Sequence, residues 1–333
     1  MGAKLIRDNL IKYIKKTWHW WLRLSIGVSL CLWILLHINM TQLKMLIFSI
    51  HSSWLVFSIM VCLGANFFSA VRLDCAIKEY STSLWNTLRL FLIGSFVGIA
   101  LPSSLGNDFY FIYYLKKQSC SLSKATTLIF LQRIFGLLLF LFIGIIYIIA
   151  KYKTASAMLG HFQLSTNNLL LYVIYGFIVV TVFGMFLLYS YPKYFNWLKS
   201  QWFNNQIWHT IQTISKKTYC QLIIYTILYQ LFAVIGFYIA IRALNQNVRI
   251  FDLLFISSFV AFASLLPISV SALGVAESVI VVCFVSLGMD INMAILIAFI
   301  NRLLTWLPAF IGGIFFMKAP TLRNIQTKSF NIY

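Results

Sequence analysis

Six stretches of this chain, residues 22–40, 53–71, 125–150, 168–191, 219–241 and 291–317, are apolar along almost their whole length. Crossing about 30 Å of hydrocarbon takes roughly 20 helical residues, and each stretch can do so. Inside lipid no water is present to bond a free N–H or C=O, so such a stretch has to be helical. The expectation is therefore an all-α polytopic membrane protein. Composition agrees: 61% of residues are hydrophobic and 10% charged, against about half and one quarter in a soluble domain.

Two further apolar regions are too short to span. Residues 90–101 end at "PSSLGND" and residues 253–266 end at "PISVSALG", and each is followed by another short apolar arm, 109–115 and 278–288. Two short arms around a polar break suggest a re-entrant hairpin, which enters the membrane halfway and returns. Pro102 and Pro267 stop the entering arm, and Gly106 and Gly274 permit a tight turn at the tip.

Charge distribution favours hairpins. With the N-terminus inside, the inside loops hold 19 Lys and Arg: six before residue 24, three in 72–89, three in 116–124, four in 193–217 and three after 317. The outside loops hold 5, namely Lys44, Lys151, Lys153, Arg242 and Arg249. Letting every short arm cross as a span except the first return arm reduces the split to 13 against 11, and positive charge gathers on the cytoplasmic side. The same rule accounts for the net charge of +19 without nucleic acid as a partner. Arg72 and Asp74 read as interfacial anchors, with Arg72 able to reach a cytoplasmic headgroup.

In this topology one hairpin enters from each side, which is an inverted repeat. Sequence echoes support it. "IGSFVG" at Ile93 resembles "ISSFVA" at Ile256, and Asp108 precedes Arg133 by 25 residues as Glu277 precedes Arg302. In the same register Ala125 matches Ala294, Phe130 matches Phe299 and Gly144 matches Gly313, and each arginine follows an amide, Gln132 or Asn301. The expected organisation is an interfacial amphipathic helix over 1–20, a membrane domain over 21–317 and a cytoplasmic tail over 318–333. The repeat halves are about 1–165 and 166–333, each with two spanning helices, a re-entrant hairpin and a further spanning helix.

Asp108, Arg133, Glu277 and Arg302 are the candidate site. An arginine near mid-bilayer costs roughly 2.5–3.5 kcal/mol on insertion scales, so it persists by facing a cavity or a carboxylate. Two readings stand: ion pairs that only pin hairpins to helices, or a polar cavity where the halves meet. The carboxylates also suit helix caps, and the free N–H groups of each return arm suit an anionic headgroup. Gly94 and Gly98, with Ser257 and Ala261, form small-residue faces for close packing. The six cysteines and five histidines show no ligand spacing, so no metal or other cofactor is expected. No Ser-His-Asp set, nucleotide loop or dinucleotide-binding glycine pattern appears, so no catalytic residue is assigned.

"LPSSLGND" followed by "QR", and "LLPISVSALGVAE" followed by "NR", resemble the lysylphosphatidylglycerol synthase transmembrane-region family, also called the flippase-like domain family. The resemblance covers roughly 20–317. It implies translocation of a lipid or glycolipid across a bacterial plasma (inner) membrane, both termini being cytoplasmic, with no chemistry of its own. The implied partners are an anionic phospholipid or a polyprenyl-linked glycan, and a glycosyltransferase of the same pathway. No soluble transferase follows Tyr333, so the expectation is a stand-alone member. Two arginines common in the family are missing, one from "FYFIYY" and one replaced by Ala276. The alternatives are a membrane-embedded transferase using Asp108 or Glu277 as general base, and a proton-coupled carrier of a small solute.

Overall fold

A computed structural model describes residues 25, 29, 40–80, 83–100, 106–150, 210, 212–265, 269 and 271–318. The expected interfacial helix, the span at 22–40 apart from residues 25, 29 and 40, the span at 168–191, Pro102, Pro267, Lys151 and Lys153 and the C-terminal tail beyond Lys318 lie outside these residues. All regular structure among the described residues is helical: α1 (Met40–Phe48), α2 (Ser52–Ala76), α3 (Leu84–Ala100), α4 (Gly106–Lys117), α5 (Leu122–Ala150), α6 (Lys216–Arg242), α7 (Ile250–Leu265), α8 (Val275–Ser286) and α9 (Ile291–Lys318). Four of them, α2, α5, α6 and α9, are long and apolar enough to cross a membrane. They match the four expected spans that fall within the described residues.

The short arms are longer than their apolar runs alone indicate. Helix α3 has 17 residues and α7 has 16, about 25 Å each, because both begin ahead of the apolar run, at Leu84 and Ile250. Their return arms, α4 and α8, have 12 residues each. Helix α1 is an addition to the expected elements; Asn292 Nδ2 donates to its Gln42 Oε1 at 2.6 Å, tying it to α9.

Small residues set the closest approaches. Helices α2 and α6 pair along their length, Ser58 Oγ donating to the Gly236 carbonyl at 2.8 Å. A Cβ on Gly236 would meet Cys62 Sγ at 2.5 Å. Gly94 and Gly98 let α4 lie on α3, since side chains there would run into Phe111 and Asn107. Gly312 of α9 sits against the Leu92 carbonyl of α3. Without a hydrophobic drive between helices in lipid, such contacts are what hold them together.

The packing pairs follow one rule. Exchange α2 with α6, α3 with α7, α4 with α8 and α5 with α9, and the contacting pairs map onto one another. Thus α3–α4 answers α7–α8, α4–α5 answers α8–α9, and α3–α9 answers α7–α5; among the principal contacts of the described helices, that of α1 with α9 falls outside the scheme. Each set of four has its own core, one around Leu73, Phe111, Leu115 and Ile129, the other around Leu253, Ile280, Phe284 and Ile297. The cross-contacts form two seams. At the α5–α7 seam Tyr147 Oη donates to Asp252 Oδ1 at 2.7 Å, and its ring stacks on Phe255. At the α3–α9 seam the Arg89 guanidinium lies over Phe315, and Phe96 packs on Phe316.

Candidate functional site

Where the two cores meet there is a cavity of about 420 Å³, within the ~300–1,000 Å³ range of ligand sites. Asp108 and Arg133 line it from α4 and α5, and Arg302 from α9. Three of the four candidate residues thus come together at one void. Glu277 does not reach the wall; it stands behind Arg302. Gly106 is buried at the start of α4, and Gly274 is buried immediately before α8.

The second tip is tightly bonded. Arg302 Nε donates to Glu277 Oε1. Its Nη1 and Nη2 donate to the carbonyls of Ser271 and Ala272 at 3.3 and 3.1 Å. Those two residues have φ of 51° and 55°, and Gly274 has φ of 81°. A non-glycine residue in a sparsely populated backbone region costs about 1–3 kcal/mol and persists only where its surroundings hold it. Arg302 is that support. The other carboxylate oxygen of Glu277 accepts from the Gly274 N–H at 2.8 Å, so the acid closes the start of α8 as a cap. The cap and cavity readings therefore divide between two residues: Glu277 caps, and Arg302 joins the cap to the wall.

The first tip is looser. Arg133 Nη1 and Asp108 Oδ2 are 3.1 Å apart, with 25% and 20% of their side chains accessible, against 14% and 13% for Arg302 and Glu277. Asp108 lies in the first turn of α4, where negative charge complements the helix dipole.

Arg72, expected as an interfacial anchor, belongs elsewhere. Helix α2 continues to Ala76, so Arg72 is inside the helix, with its guanidinium on the cavity wall. Its Nη1 lies 3.5 Å from Thr226 Oγ1, and its guanidinium lies over the Tyr229 ring at 5.6 Å. A sequence signal exists for it: Asn66, Ser69 and Arg72 recur every three residues and share one helical face, and all three line the cavity. The amides that precede each arginine, Gln132 and Asn301, line it too, as does Trp306. Among the described residues no group of three or more His, Cys, Asp or Glu could hold a metal.

The wall therefore carries three arginines against Asp108 and the recessed Glu277, an excess of positive charge. No curated protein and no solved structure matches the chain. The family described as "Lysylphosphatidylglycerol synthase TM region" matches residues 20–313, which contain every residue lining the cavity. The chain is a member of the lysylphosphatidylglycerol synthase transmembrane-region family.

Proposed function

We propose that this protein translocates a lipid or glycolipid with an anionic or polyprenyl-linked headgroup across a bacterial plasma membrane. The observation that carries the proposal is the shared cavity faced by Arg72, Arg133 and Arg302 where the two packing units meet. Acyl chains cannot fill a polar void of this kind. A headgroup could occupy it while its chains stay in the bilayer.

The packing rule supports the movement. Helix contacts that exchange in pairs are what an internal repeat produces. The charge split supports inversion of that repeat, with α3–α4 entering as a re-entrant hairpin from the cytoplasm and α7–α8 from outside. Rocking one unit against the other would then open the site to each leaflet in turn. In this scheme both termini are cytoplasmic and no catalytic residue is needed. A lipid-linked glycan as cargo would require a glycosyltransferase upstream as its partner.

The test is reconstitution into liposomes carrying labelled anionic phospholipid or a polyprenyl-phosphate sugar, with leaflet exchange as the readout. Wild type should exchange lipid faster than empty liposomes, and Arg133→Gln should abolish the gain while remaining folded. Folded wild type that moves no lipid but transfers a sugar between added substrates would replace this reading with a membrane transferase. A single cysteine at position 117, in a background without native cysteines, should resist an impermeant reagent applied outside. Labelling from that side would refute the first hairpin.

A further inference from the structure

Five buried side-chain polar atoms among the described residues have no hydrogen-bond partner, and three of them belong to cavity-lining residues: Arg72 Nε, Gln132 Nε2 and Trp306 Nε1. All three are donors. They come from α2, α5 and α9, so no single local irregularity explains them. Gln132 is only 6% accessible, so its amide is shielded from bulk solvent. Buried donors are ordinarily satisfied, and leaving one unmade is more costly than the bond is favourable.

The three arginines differ in how far they are already engaged. Arg302 is committed to Glu277 and to two carbonyls. Arg133 faces Asp108. Arg72 has no carboxylate within 4.0 Å among the described residues; its neighbours there are a hydroxyl and an aromatic ring. Asp108 acts electrostatically on both Arg133 and Arg72, so this one carboxylate leaves the pair with an excess of positive charge, and Arg72 is the member without a direct ion pair. Gln132 brings a second donor, and Trp306 a third from beneath the Arg302 guanidinium.

We propose that Arg72, Gln132 and Trp306 form an oxyanion subsite that takes the phosphate of the headgroup. A phosphate is acceptor-only, bears several oxygens and carries negative charge, so it can meet donors from three helices at once. A zwitterionic or neutral polar headgroup without phosphate would leave the buried Arg72 Nε without an anionic acceptor. This inference rests on the translocation reading for its lipid, but binding can be measured without transport.

Purified protein in detergent is titrated with phosphatidylglycerol, diacylglycerol, glycerol 3-phosphate and inorganic phosphate, and binding is read by native mass spectrometry and by thermal shift. Phosphatidylglycerol should bind and diacylglycerol should not. Arg72→Gln should weaken phosphatidylglycerol by about tenfold or more, the scale of a lost charged hydrogen bond, with Arg72→Lys intermediate. Trp306→Phe keeps the ring and removes the N–H, and should weaken binding severalfold. Competition by glycerol 3-phosphate or inorganic phosphate would identify the phosphate as the recognised group; competition by neither would assign recognition to the phosphate as presented with its chains. Equal retention of diacylglycerol and phosphatidylglycerol, or unchanged binding in folded Arg72→Gln and Trp306→Phe, would overturn the subsite. Phosphate-dependent binding without any leaflet exchange would leave the subsite standing and remove the translocation reading.

Discussion

The two tips carry the same pattern, an acid 25 residues ahead of an arginine, and have built different things from it. In α8, Ala276, Val279, Ile280, Val281, Cys283 and Phe284 are buried, and Glu277 is bonded to both Gly274 and Arg302. In α4 only Gly106, Phe111 and Leu115 are buried, while Phe109 and Tyr113 are exposed. The second tip is a clamp set in a jacket of apolar side chains. The first has one ion pair and less cover. Two copies of one motif can therefore serve different ends, one bracing a strained turn while the other is left more open.

The largest expected effect tests that division directly. Removing one member of a buried pair leaves an uncompensated charge, costing about 3–5 kcal/mol, and at the second tip it also releases a strained turn. Glu277→Gln and Arg302→Gln should each lose on that order in a detergent unfolding assay, and the double variant less than their sum. Asp108→Asn and Arg133→Gln should cost less, about 1–2 kcal/mol, between the buried and the surface ranges. Equal losses at both tips would erase the comparison. The same experiment separates stability from transport: Arg133→Gln should lose exchange without losing fold, and Arg302→Gln should lose both.

A smaller effect sharpens the contrast at the seams. Gly312→Ala has to push α9 away from the backbone of α3, an overpacking cost of about 1–3 kcal/mol. At the other seam Tyr147→Phe removes the bond to the buried Asp252 and should cost about 1–3 kcal/mol through the unsatisfied carboxylate. Thermal shifts in detergent measure both. If either is neutral, that seam is not a fixed contact and the pivot between the units lies there.

The arginines and acids are legible in the sequence because charge is rare and conspicuous in apolar surroundings, and their spacing leads to the cavity. Arg72 is not legible in the same way. It follows the apolar run 53–71, and apolar counting ends a helix where polarity begins, whereas α2 runs on to Ala76. Its neighbours Thr226 and Tyr229 are more than 150 residues away, a pairing that no local pattern announces. The split of roles between Glu277 and Arg302 is hidden for another reason. It depends on left-handed backbone at Ser271 and Ala272, residue types that give no hint of such a conformation.

The smallest effect is a difference in sign. Gly144 and Gly313 occupy matching positions of the two halves. A Cβ on Gly313 would come within 3.1 Å of the Phe96 ring, while one on Gly144 would meet nothing within 4 Å. Replacing a helical glycine in open space by alanine removes its backbone entropy cost, a gain of up to about 1 kcal/mol. Gly144→Ala should therefore raise the melting temperature slightly. At Gly313 the same gain is offset by displacing Phe96, which already packs on Phe316, and overpacking starts at about 1 kcal/mol. Gly313→Ala should come out neutral to destabilising. Both variants gaining stability would mean that the α3–α9 seam yields as freely as the open face of α5, and the asymmetry between the two units would then be confined to their tips.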